Sequence, residues 1–582
     1  MTSSQILVEK NIPCTMRDGT ILYADIYRPN HNGPFPVLLT RIPYNKDLPM
    51  FSHRYIDTHR LVMNGYVVII QDVRGRFASD GDFLPFVNEA EDGYDTVEWA
   101  ASLPYSTGKV GMFGLSYYGF TQLLAASARP PHLECMVPAM TLNDQRNSLA
   151  FNNGPYELGL FETWTLESIV PDLVKRTYTE PDTYKKKMMT MAEFYNDIQN
   201  WYPYAPVNEW PPVQELGVAD FFVQSLTKDL DDDDWRKTSI THKYESFDVP
   251  AYHIGGWYDA LLPSTIDNFT EMKKNIEGSH GENKQKLIIG PWGHGDFGSV
   301  IGERSFGIHA SEDWINYHED LTDLHLRWFD YWLKGIETHI TDEAPIKLFV
   351  MGINQWRDEQ EWPLARTQYI PYYFHSNGRA NTKDGDGRLA PEEPIHEPTD
   401  HFLYDPADPV PTHGGPTLYS GIQTMGPRDQ RSIEERTDVL VYSSEGLEKS
   451  LEVTGPVKVY LWAKSDAPDT DFSAKLIDVC PDGTAYHLTE GIVRAKYRNG
   501  FTPEEPLSGE VTQYEIDLWA TSYVFLPDHC VRVEISSSSF PRFDTNLNTG
   551  ETMISSDTFQ TAKQTIFHEQ DYPSHILLPI IN

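Results

Sequence analysis

Short apolar runs alternate with helix-length segments in the first part of the chain and again after residue 246. The near-continuous apolar runs lie at residues 36–40, 66–70, 110–113, 251–254 and 286–289. Runs of this kind are typical of strands that are buried on both faces of a parallel sheet. Before them, an Asp18-Gly19 turn between β-prone segments predicts an antiparallel hairpin. The pattern therefore predicts an α/β domain that opens with a hairpin.

The strand pattern disappears between residues 144 and 246, where long polar and aromatic segments such as 184–201 predict helices. Such a segment between two strands of one sheet indicates an insertion, and insertions at the carboxyl edge of a sheet often form caps over a site. Farther on, apolar residues recur at helical spacing between residues 311 and 334, and Gly335 offers a stop. This segment predicts a helix that closes the α/β domain.

Strand patterns dominate the last part of the chain. They occur at residues 346–351, 457–462 and 531–535, with a loop-rich stretch at 381–415. This pattern predicts an all-β sandwich or jelly roll with long surface loops. The predicted domains are a catalytic domain of residues 1–143 and 247–340, a helical cap of residues 144–246, and a jelly-roll domain of residues 341–582.

The composition narrows the range of partners. The 582 residues include 47 Lys and Arg against 85 Asp and Glu, a net charge of −38, which disfavours nucleic acid and anionic membranes. The amino terminus lacks the pattern of a secretory signal, and no apolar run is long enough for a membrane span. Four scattered cysteines indicate free thiols and no zinc site. We therefore expect a soluble cytoplasmic protein without a metal or other cofactor.

A serine stands at the end of the run 110–113, where a helical pattern begins. The segment reads Gly114-Leu115-Ser116-Tyr117-Tyr118-Gly119. A serine on a sharp strand-to-helix turn is typical of a nucleophile elbow, whose generic motif is Gly-x-Ser-x-Gly. Here Tyr118 takes the place of the second glycine, which arrives one residue later. The segment alone leaves an ordinary strand-to-helix turn open.

Two further polar residues follow predicted strands in the order expected of a catalytic triad. Asp259 comes after the run 251–254, and His294 comes after the run 286–289. An activated serine needs a histidine base, and that base needs an acid that fixes its tautomer. Asp259 could instead cap a helix, and His294 could be a loop histidine. Their placement at strand ends, in the order serine, acid, histidine, favours the triad.

The oxyanion of an acyl-transfer intermediate needs hydrogen-bond donors. The backbone N–H of Tyr117, directly after the serine, is the first candidate. The loop after the run 36–40 carries Tyr44, whose phenol keeps its proton at neutral pH and could donate it. The residue type alone is equally compatible with a packing tyrosine.

A series of short motifs extends along the whole chain. They are Met16-Arg17-Asp18-Gly19, Pro43-Tyr44-Asn45-Lys46, Gln71-Asp72-Val73-Arg74-Gly75, Gly114-Leu115-Ser116-Tyr117, Gly255-Gly256-Trp257-Tyr258-Asp259, Gly290-Pro291-Trp292-Gly293-His294, Leu348-Phe349-Val350-Met351-Gly352, the stretch from Tyr404 to Pro411, and Ser537-Ser538-Ser539-Phe540-Pro541. In these motifs the chain resembles the cocaine esterase-like CocE/NonD hydrolases, a serine hydrolase family of X-Pro dipeptidyl-peptidase-like (S15) type. The resemblance implies an α/β-hydrolase domain with a helical cap and a carboxyl-terminal jelly roll of galactose-binding-like type. It also implies a homodimer.

The resemblance assigns roles to individual residues. It places the nucleophile on Ser116, the acid on Asp259, the base on His294 and the oxyanion phenol on Tyr44. Substrate-binding positions are implied at Trp164, Trp257, Leu418 and Tyr419. Ala260 and Leu261 stand where the cocaine-hydrolysing members carry glycine and phenylalanine, which predicts a differently shaped pocket.

The leading hypothesis is a metal-independent serine hydrolase of small carboxylic esters with a bulky or aromatic acyl group. Alternatives within the family are an α-amino-acid ester hydrolase or β-lactam acylase, and an X-Pro dipeptidyl peptidase. An amino-acid substrate would need carboxylates for its ammonium group, and the cap offers Glu162, Glu167 and Asp172. A different class of alternative is a carbohydrate-binding protein whose hydrolase domain is inactive.

Overall fold

The computed structural model describes residues 5–53, 55–228, 232–276, 284–419, 425–500 and 504–582. The strands before residue 360 are β1 (Ile6–Thr15), β2 (Ile21–Pro29), β3 (Phe35–Ile42), β4 (Val67–Asp72), β5 (Ser106–Leu115), β6 (Leu133–Ala139), β7 (Ala251–Tyr258), β8 (Gln285–Gly293), β9 (Val300–Ile301), β10 (Arg304–Ser305), β11 (Ile346–Val350) and β12 (Gln355–Glu359). The helices are α1 (Pro49–Ser52), α2 (Thr58–Met63), α3 (Glu89–Ala101), α4 (Tyr117–Ser127), α5 (Leu158–Thr163), α6 (Val170–Thr177), α7 (Pro181–Asn196), α8 (Ile198–Trp201), α9 (Pro211–Leu216), α10 (Phe221–Thr227), α11 (Asp233–Lys237), α12 (Leu262–Ile276) and α13 (Leu321–Phe329).

One large mixed sheet organises the first part of the molecule. Its strand order is β1-β2-β4-β3-β5-β6-β7-β8-β11-β12, and the strands from β4 through β11 in this order are parallel. β3, β4, β7 and β8 are buried along their whole length, as their continuous apolar runs predict. β1 and β2 form the expected antiparallel hairpin around Asp18 and Gly19. The predicted α/β domain is thus confirmed.

The sheet extends beyond the domain boundary predicted at residue 341. β11 pairs in parallel with β8, and β12 pairs antiparallel with β11. The strand signal at 346–351, which the sequence pattern places in the carboxyl-terminal β-domain, therefore pairs with the α/β sheet. The apolar run is compatible with either sheet, and only the pairing with the edge of β8 decides between them. The exact domain boundaries stay predictions.

Helices fill the segment between β6 and β7. The predicted helix at 184–201 corresponds to α7 and α8, which are separated at Asp197. The predicted closing helix starts later than expected, at Leu321, because Asp320 caps it by accepting a hydrogen bond from the Asp323 amide. It continues as the π-helical turn Asp330–Lys334 and ends at Gly335, as predicted.

The last part of the chain is an all-β domain, as predicted. Its strands are β13 (Gln368–His375), β14 (Arg388–Ala390), β15 (Asp400–Tyr404), β16 (Leu440–Ser443), β17 (Leu451–Ser465), β18 (Asp471–Val479), β19 (Ala485–Arg494), β20 (Thr512–Phe525), β21 (Cys530–Ser536), β22 (Ala562–Glu569), β23 (Tyr572–Pro573) and β24 (His575–Ile581). The main path runs β15-β22-β17-β24-β13-β14-β16-β21-β18-β19. β14 and β15 lie within residues 381–415, so this stretch is not wholly loop. The jelly-roll topology stays a prediction.

The two sheets share a hydrophobic core. Side chains of β7 and α12 pack in one cluster with β11 and with strands of the β-domain. Trp257 lies in this cluster and is 2% exposed. Its indole N–H donates to the carbonyl of Phe349 at 2.7 Å. The β-domain is therefore packed directly on the catalytic sheet.

Among the residues that the structure describes, no helix has both the length and the apolar character that crossing a bilayer requires.

A buried histidine predicts how stability depends on pH. His325 on α13 is fully buried, and burial lowers its pKa from 6.5 to about 4. Between these values the unfolded chain binds a proton that the native state does not, so stability falls as the pH drops from 6.5 towards 4. The shift corresponds to about 3 kcal/mol. We expect His325→Phe to remove this part of the acid destabilisation.

The ring packs edge-on against Tyr55 at 5.6 Å, so phenylalanine suits the site. Denaturant unfolding at several pH values between 7 and 4 measures the change, with the exposed His31→Gln as control. An unchanged pH dependence in His325→Phe would contradict the prediction.

Candidate active site

Ser116 lies on the sharp turn between β5 and α4. Its backbone has φ 60° and ψ −123°, a conformation that few non-glycine residues adopt. The Ser116 amide donates to the Ala139 carbonyl at 2.9 Å, and its carbonyl accepts from the Thr141 hydroxyl at 2.7 Å. These bonds tie the strained residue to the end of β6. The side chain is half-buried between buried neighbours.

The spacing of the two glycines follows from close contacts around this turn. A Cβ at Gly114, which has φ 157°, would lie 2.2 Å from the carbonyl oxygen of Tyr118. A Cβ at Gly119 would lie 2.7 Å from Cβ of Thr141 and 2.9 Å from the Ala139 carbonyl oxygen. Position 119 therefore needs glycine because helix α4 starts against the end of β6. The contacts around this turn thus explain why the second glycine stands at position 119 and not at position 118.

Asp259 and His294 meet at the carboxyl edge of the sheet. Asp259 follows β7 and is fully buried, and His294 follows β8 with its side chain 8% exposed. Their closest atoms, Asp259 Oδ1 and His294 Nδ1, are 2.6 Å apart. The same carboxylate oxygen accepts from the Leu261 amide at 3.2 Å. This geometry suits an acid that orients an imidazole through Nδ1.

Tyr44 lies in the loop after β3, and its phenol reaches the hydroxyl of Ser116. The Trp164 indole N–H donates to the Tyr44 oxygen at 3.0 Å. Because the Trp164 N–H donates a hydrogen bond to that oxygen, the O–H of Tyr44 is directed away from Trp164 and towards Ser116. Burial raises the pKa of Tyr44 to about 12. The phenol therefore stays protonated and can act as a donor.

Tyr117 combines a side chain that packs in the core with a backbone N–H that can serve as a hydrogen-bond donor. Its hydroxyl donates to Glu89 at 2.9 Å and accepts from the Phe86 amide at 3.1 Å. Its ring stacks on Phe86 with centroids 4.1 Å apart. Tyr117 is also the first residue of α4, and first-turn amides have no acceptor within their own helix. The Tyr117 N–H is thus suited to an oxyanion beside Ser116.

The four predicted substrate-binding residues lie in different parts of the structure. Trp164 lies at the site and contacts Tyr44. Trp257 instead lies in the core that the sheet shares with the β-domain, where it is 2% exposed, and its role in substrate binding stays a prediction. The side chain projects onto the face covered by α12, and its N–H is satisfied there.

Leu418 and Tyr419 lie on a loop of the β-domain. Leu418 is 37% exposed. The Tyr419 ring lies edge-on to that of Tyr202 in the cap, 6.0 Å between centroids. A Cβ at Gly159 of α5 would lie 3.2 Å from Tyr419 Cβ. The loop thus contacts the cap helix that leads to Trp164.

Met425 is a further residue of the β-domain that lies near the site. A Cβ at Gly293 would lie 2.1 Å from its sulfur, so the β-domain touches the residue directly before His294. Met425 was not among the residues predicted from the sequence. An isolated methionine in a loop has no sequence signal that would have found it.

The three cap carboxyl groups have different environments. Glu162 is fully buried, neither of its carboxyl oxygens has a hydrogen-bond partner within the described part of the chain, and burial holds its pKa well above the usual range. Asp172 accepts from the Phe77 amide at 2.9 Å. Glu167 is exposed. Binding an ammonium group would need charged carboxylates that converge on one point.

The side chains that support the Tyr44 loop were not predicted from the sequence. The Lys46 ammonium and Asp72 carboxylate form a buried pair at 2.9 Å, and the same carboxylate accepts from the Lys46 amide at 2.9 Å. Arg76 donates to the carbonyl of Pro43 at 2.9 Å. Asp72 belongs to the motif Gln71-Asp72-Val73-Arg74-Gly75, and Arg76 directly follows this motif. The motif does not indicate that either side chain supports the Tyr44 loop.

The sheet order, the elbow after β5 and the polar residues after β7 and β8 define the α/β-hydrolase class. Residues 18–296 match the model of the X-Pro dipeptidyl-peptidase (S15) family. Residues 338–577 match the X-Pro dipeptidyl-peptidase C-terminal non-catalytic domain. The two matches fall on the hydrolase part and on the all-β part of the molecule.

The chain is 37% identical over its full length, and over the full length of the relative, to a cocaine esterase of Rhodococcus sp. (strain MB1 Bresler). It therefore belongs to the cocaine esterase family of S15-type hydrolases. Among solved structures, an α-amino acid ester hydrolase matches 100% of this chain and 97% of its own at TM-score 0.83 and 24% identity. An aminopeptidase from a marine sediment Thaumarchaeota archaeon matches 99% and 97% at TM-score 0.80 and 24% identity. These two show a shared fold.

Proposed function

We propose that this protein hydrolyses carboxylic esters through an acyl-enzyme on Ser116. The observation that carries the proposal is the 2.6 Å contact between Asp259 and His294 at the sheet edge where the strained Ser116 lies. The full-length relative named a cocaine esterase supports an ester as the substrate. The proposed chemistry uses side chains and water alone.

In the proposed mechanism, Asp259 holds His294 so that Nε2 faces the serine. Nε2 takes the hydroxyl proton as Ser116 attacks the ester carbonyl, and then gives it to the leaving alcohol. Water attacks the acyl-enzyme with the same histidine as base. The negative charge of each tetrahedral intermediate lies between the Tyr44 phenol and the Tyr117 amide. A donor that is already oriented by Trp164 needs little rearrangement as the charge develops.

The walls near Ser116 favour a bulky or aromatic acyl group. The Trp164 ring is only partly buried and lies at the site, where its N–H contacts the Tyr44 oxygen, while the buried Tyr117 ring supports it from behind with centroids 6.3 Å apart. Flat apolar surfaces of this kind pack against aromatic acyl groups. Leu418 and Tyr419 are proposed to complete the pocket from the β-domain.

A matched pair of substrates tests the acyl preference. We expect p-nitrophenyl phenylacetate to be hydrolysed with a kcat/KM about 100-fold above that of p-nitrophenyl phenylglycinate, which differs by one amino group. Burial disfavours the charged form of Glu162 as a partner for an ammonium group, and burying an unpaired charge costs about 3 kcal/mol. The initial rates of nitrophenolate release measure both reactions, corrected for spontaneous hydrolysis.

A faster reaction of the amino ester would contradict this preference and favour an α-amino-acid ester hydrolase, the activity named for one structural neighbour. Turnover of an X-Pro amide above that of the esters would favour a dipeptidyl peptidase. The cytoplasmic location and the homodimer also stay proposals, which cell fractionation and analytical ultracentrifugation would check.

A further inference from the structure

Arg76, in the loop after β4, is a buried cation with an unusual set of partners. Its side chain is 0% exposed. Its Nε donates to the Pro43 carbonyl at 2.9 Å, Nη1 to the Ile169 carbonyl at 2.9 Å and Nη2 to the Ser168 carbonyl at 3.0 Å. The nearest carboxylate, Asp172, lies at 3.7 Å. Three backbone carbonyls from two separate segments thus hold one guanidinium group.

These carbonyls belong to the two segments that position the oxyanion phenol. Pro43 directly precedes Tyr44. Ser168 and Ile169 end the π-helical turn Trp164–Ile169, whose first residue donates its indole N–H to Tyr44. Arg76 therefore closes a ring of contacts that runs through the Tyr44 loop, the Tyr44–Trp164 hydrogen bond and the turn.

The charge of Arg76 is placed to act on the same site. The guanidinium lies over the Phe77 and Phe83 rings at 4.9 and 5.0 Å, which excludes water from it. It opposes the effect of burial on the pKa of Tyr44 by favouring negative charge there. Burial lowers the pKa of Arg76 itself to about 10, so the group stays charged at neutral pH. In a buried site this interaction is weakly screened.

We propose that Arg76 is a positioning residue of the oxyanion site, which holds Tyr44 and the Trp164 turn in register and supports the negative charge that develops on the oxyanion beside the phenol. The inference rests on the proposed function, in which Tyr44 donates to the oxyanion. Arg76 itself does not touch the substrate. Its contribution is transmitted through Tyr44.

A double-mutant cycle between positions 76 and 44 tests this inference. Tyr44→Phe is expected to lower kcat by about 10²-fold, the usual cost of losing one oxyanion donor. Arg76→Met is expected to lower kcat by roughly 30-fold with KM within about 3-fold, because the loss falls on the transition state. Arg76→Lys keeps the charge without the three-pronged contact, so its loss is expected to be smaller. In the Tyr44→Phe background, Arg76→Met should cost only about 2-fold.

Arg74→Met is the matched control from the same loop. Arg74 pairs with Asp92 at 2.6 Å and Asp18 at 2.7 Å, and within the described part of the chain no hydrogen bond or ion pair joins it to Tyr44 or the Trp164 turn. Its kcat is expected to stay within about 2-fold of the parent. Circular dichroism and thermal unfolding establish that each variant is folded before the kinetics are compared.

The possible results separate the inference from the proposed function. If Tyr44→Phe leaves kcat unchanged, the proposed oxyanion site is wrong. If Tyr44→Phe is impaired but Arg76→Met costs the same factor in both backgrounds, or raises KM alone, the positioning role is wrong. Failure of both Arg76 variants to fold would likewise count against it, since Arg76 would then serve the fold. A non-additive loss in kcat, partly restored by lysine, supports it.

Discussion

Ser116→Ala is expected to lower kcat/KM for ester hydrolysis by about 10⁵- to 10⁶-fold, since removal of the nucleophile abolishes the acyl-enzyme route. Alanine fits the elbow because the turn depends on backbone contacts: the Ser116 amide and carbonyl bond to Ala139 and Thr141, and the hydroxyl is not needed for either. The variant should therefore fold normally. Residual activity would come from the oxyanion donors and substrate binding alone.

Initial rates with an aromatic p-nitrophenyl ester, with active sites titrated by a fluorophosphonate probe, measure this effect. Ser127→Ala is the matched control, since Ser127 lies at the end of the same helix and its hydroxyl donates to the Leu124 carbonyl at 2.7 Å. The control should retain parental turnover and bind the probe. Parental turnover in Ser116→Ala would overturn the proposed mechanism and leave the binding-protein alternative open.

The second large effect is expected at the acid. Asp259→Asn should lower kcat by about 10⁴-fold with little change in KM, because an amide can hold the imidazole in the wrong tautomer and cannot stabilise its cation. Asp259 is fully buried and its carboxylate lies 2.6 Å from the imidazole, so an amide at this position leaves the imidazolium without its anionic partner. The side-chain volume is conserved, so the fold should be retained.

Steady-state kinetics with the same ester, combined with thermal unfolding, measure this change. Asp267→Asn on α12 is a control that makes the same chemical change a short distance along the chain. It should stay within about 2-fold of the parent. A loss below 10-fold in Asp259→Asn would show that another group orients the histidine.

The β-domain contributes to the site by holding the cap. The amide of Tyr156, before α5, donates to the Asp544 carboxylate at 2.7 Å, and the Gly159 amide donates to the Pro541 carbonyl at 2.8 Å. Farther along the cap, the Asn208 amide donates to the Ile554 carbonyl at 3.0 Å. Because α5 leads into the Trp164 turn, these bonds help to fix the indole that contacts Tyr44. A separate carbohydrate-binding role is not needed to explain this domain.

Much of the fold could be predicted from local patterns. Continuous apolar runs predicted β3, β4, β5, β7 and β8, because strands buried on both faces need apolar residues at every position. The same runs placed Ser116, Asp259 and His294 after strands of one sheet, so their convergence at its edge could be expected from parallel pairing alone. The helical insertion was evident from the loss of the strand pattern.

Other features depended on contacts between segments far apart in the sequence. β11 could have joined either sheet, since its apolar run suits both, and pairing with β8 decided it. Trp257 stands in a motif beside the acid, yet its ring is buried in the core that the sheet shares with the β-domain. The late glycine at position 119 is explained only by the approach of Thr141.

The sequence by itself determined the main strands of the α/β sheet, the three residues of the proposed triad and their order as serine, acid and histidine. These follow from local periodicity and from the parallel pairing of the strands. Only the tertiary structure decided what surrounds them: the Trp164 hydrogen bond to Tyr44, the Arg76 contacts that link two segments, and Met425 against Gly293. Such contacts join residues distant in sequence, and their hydrogen-bond geometry and burial arise only when the cap, sheet and β-domain pack together.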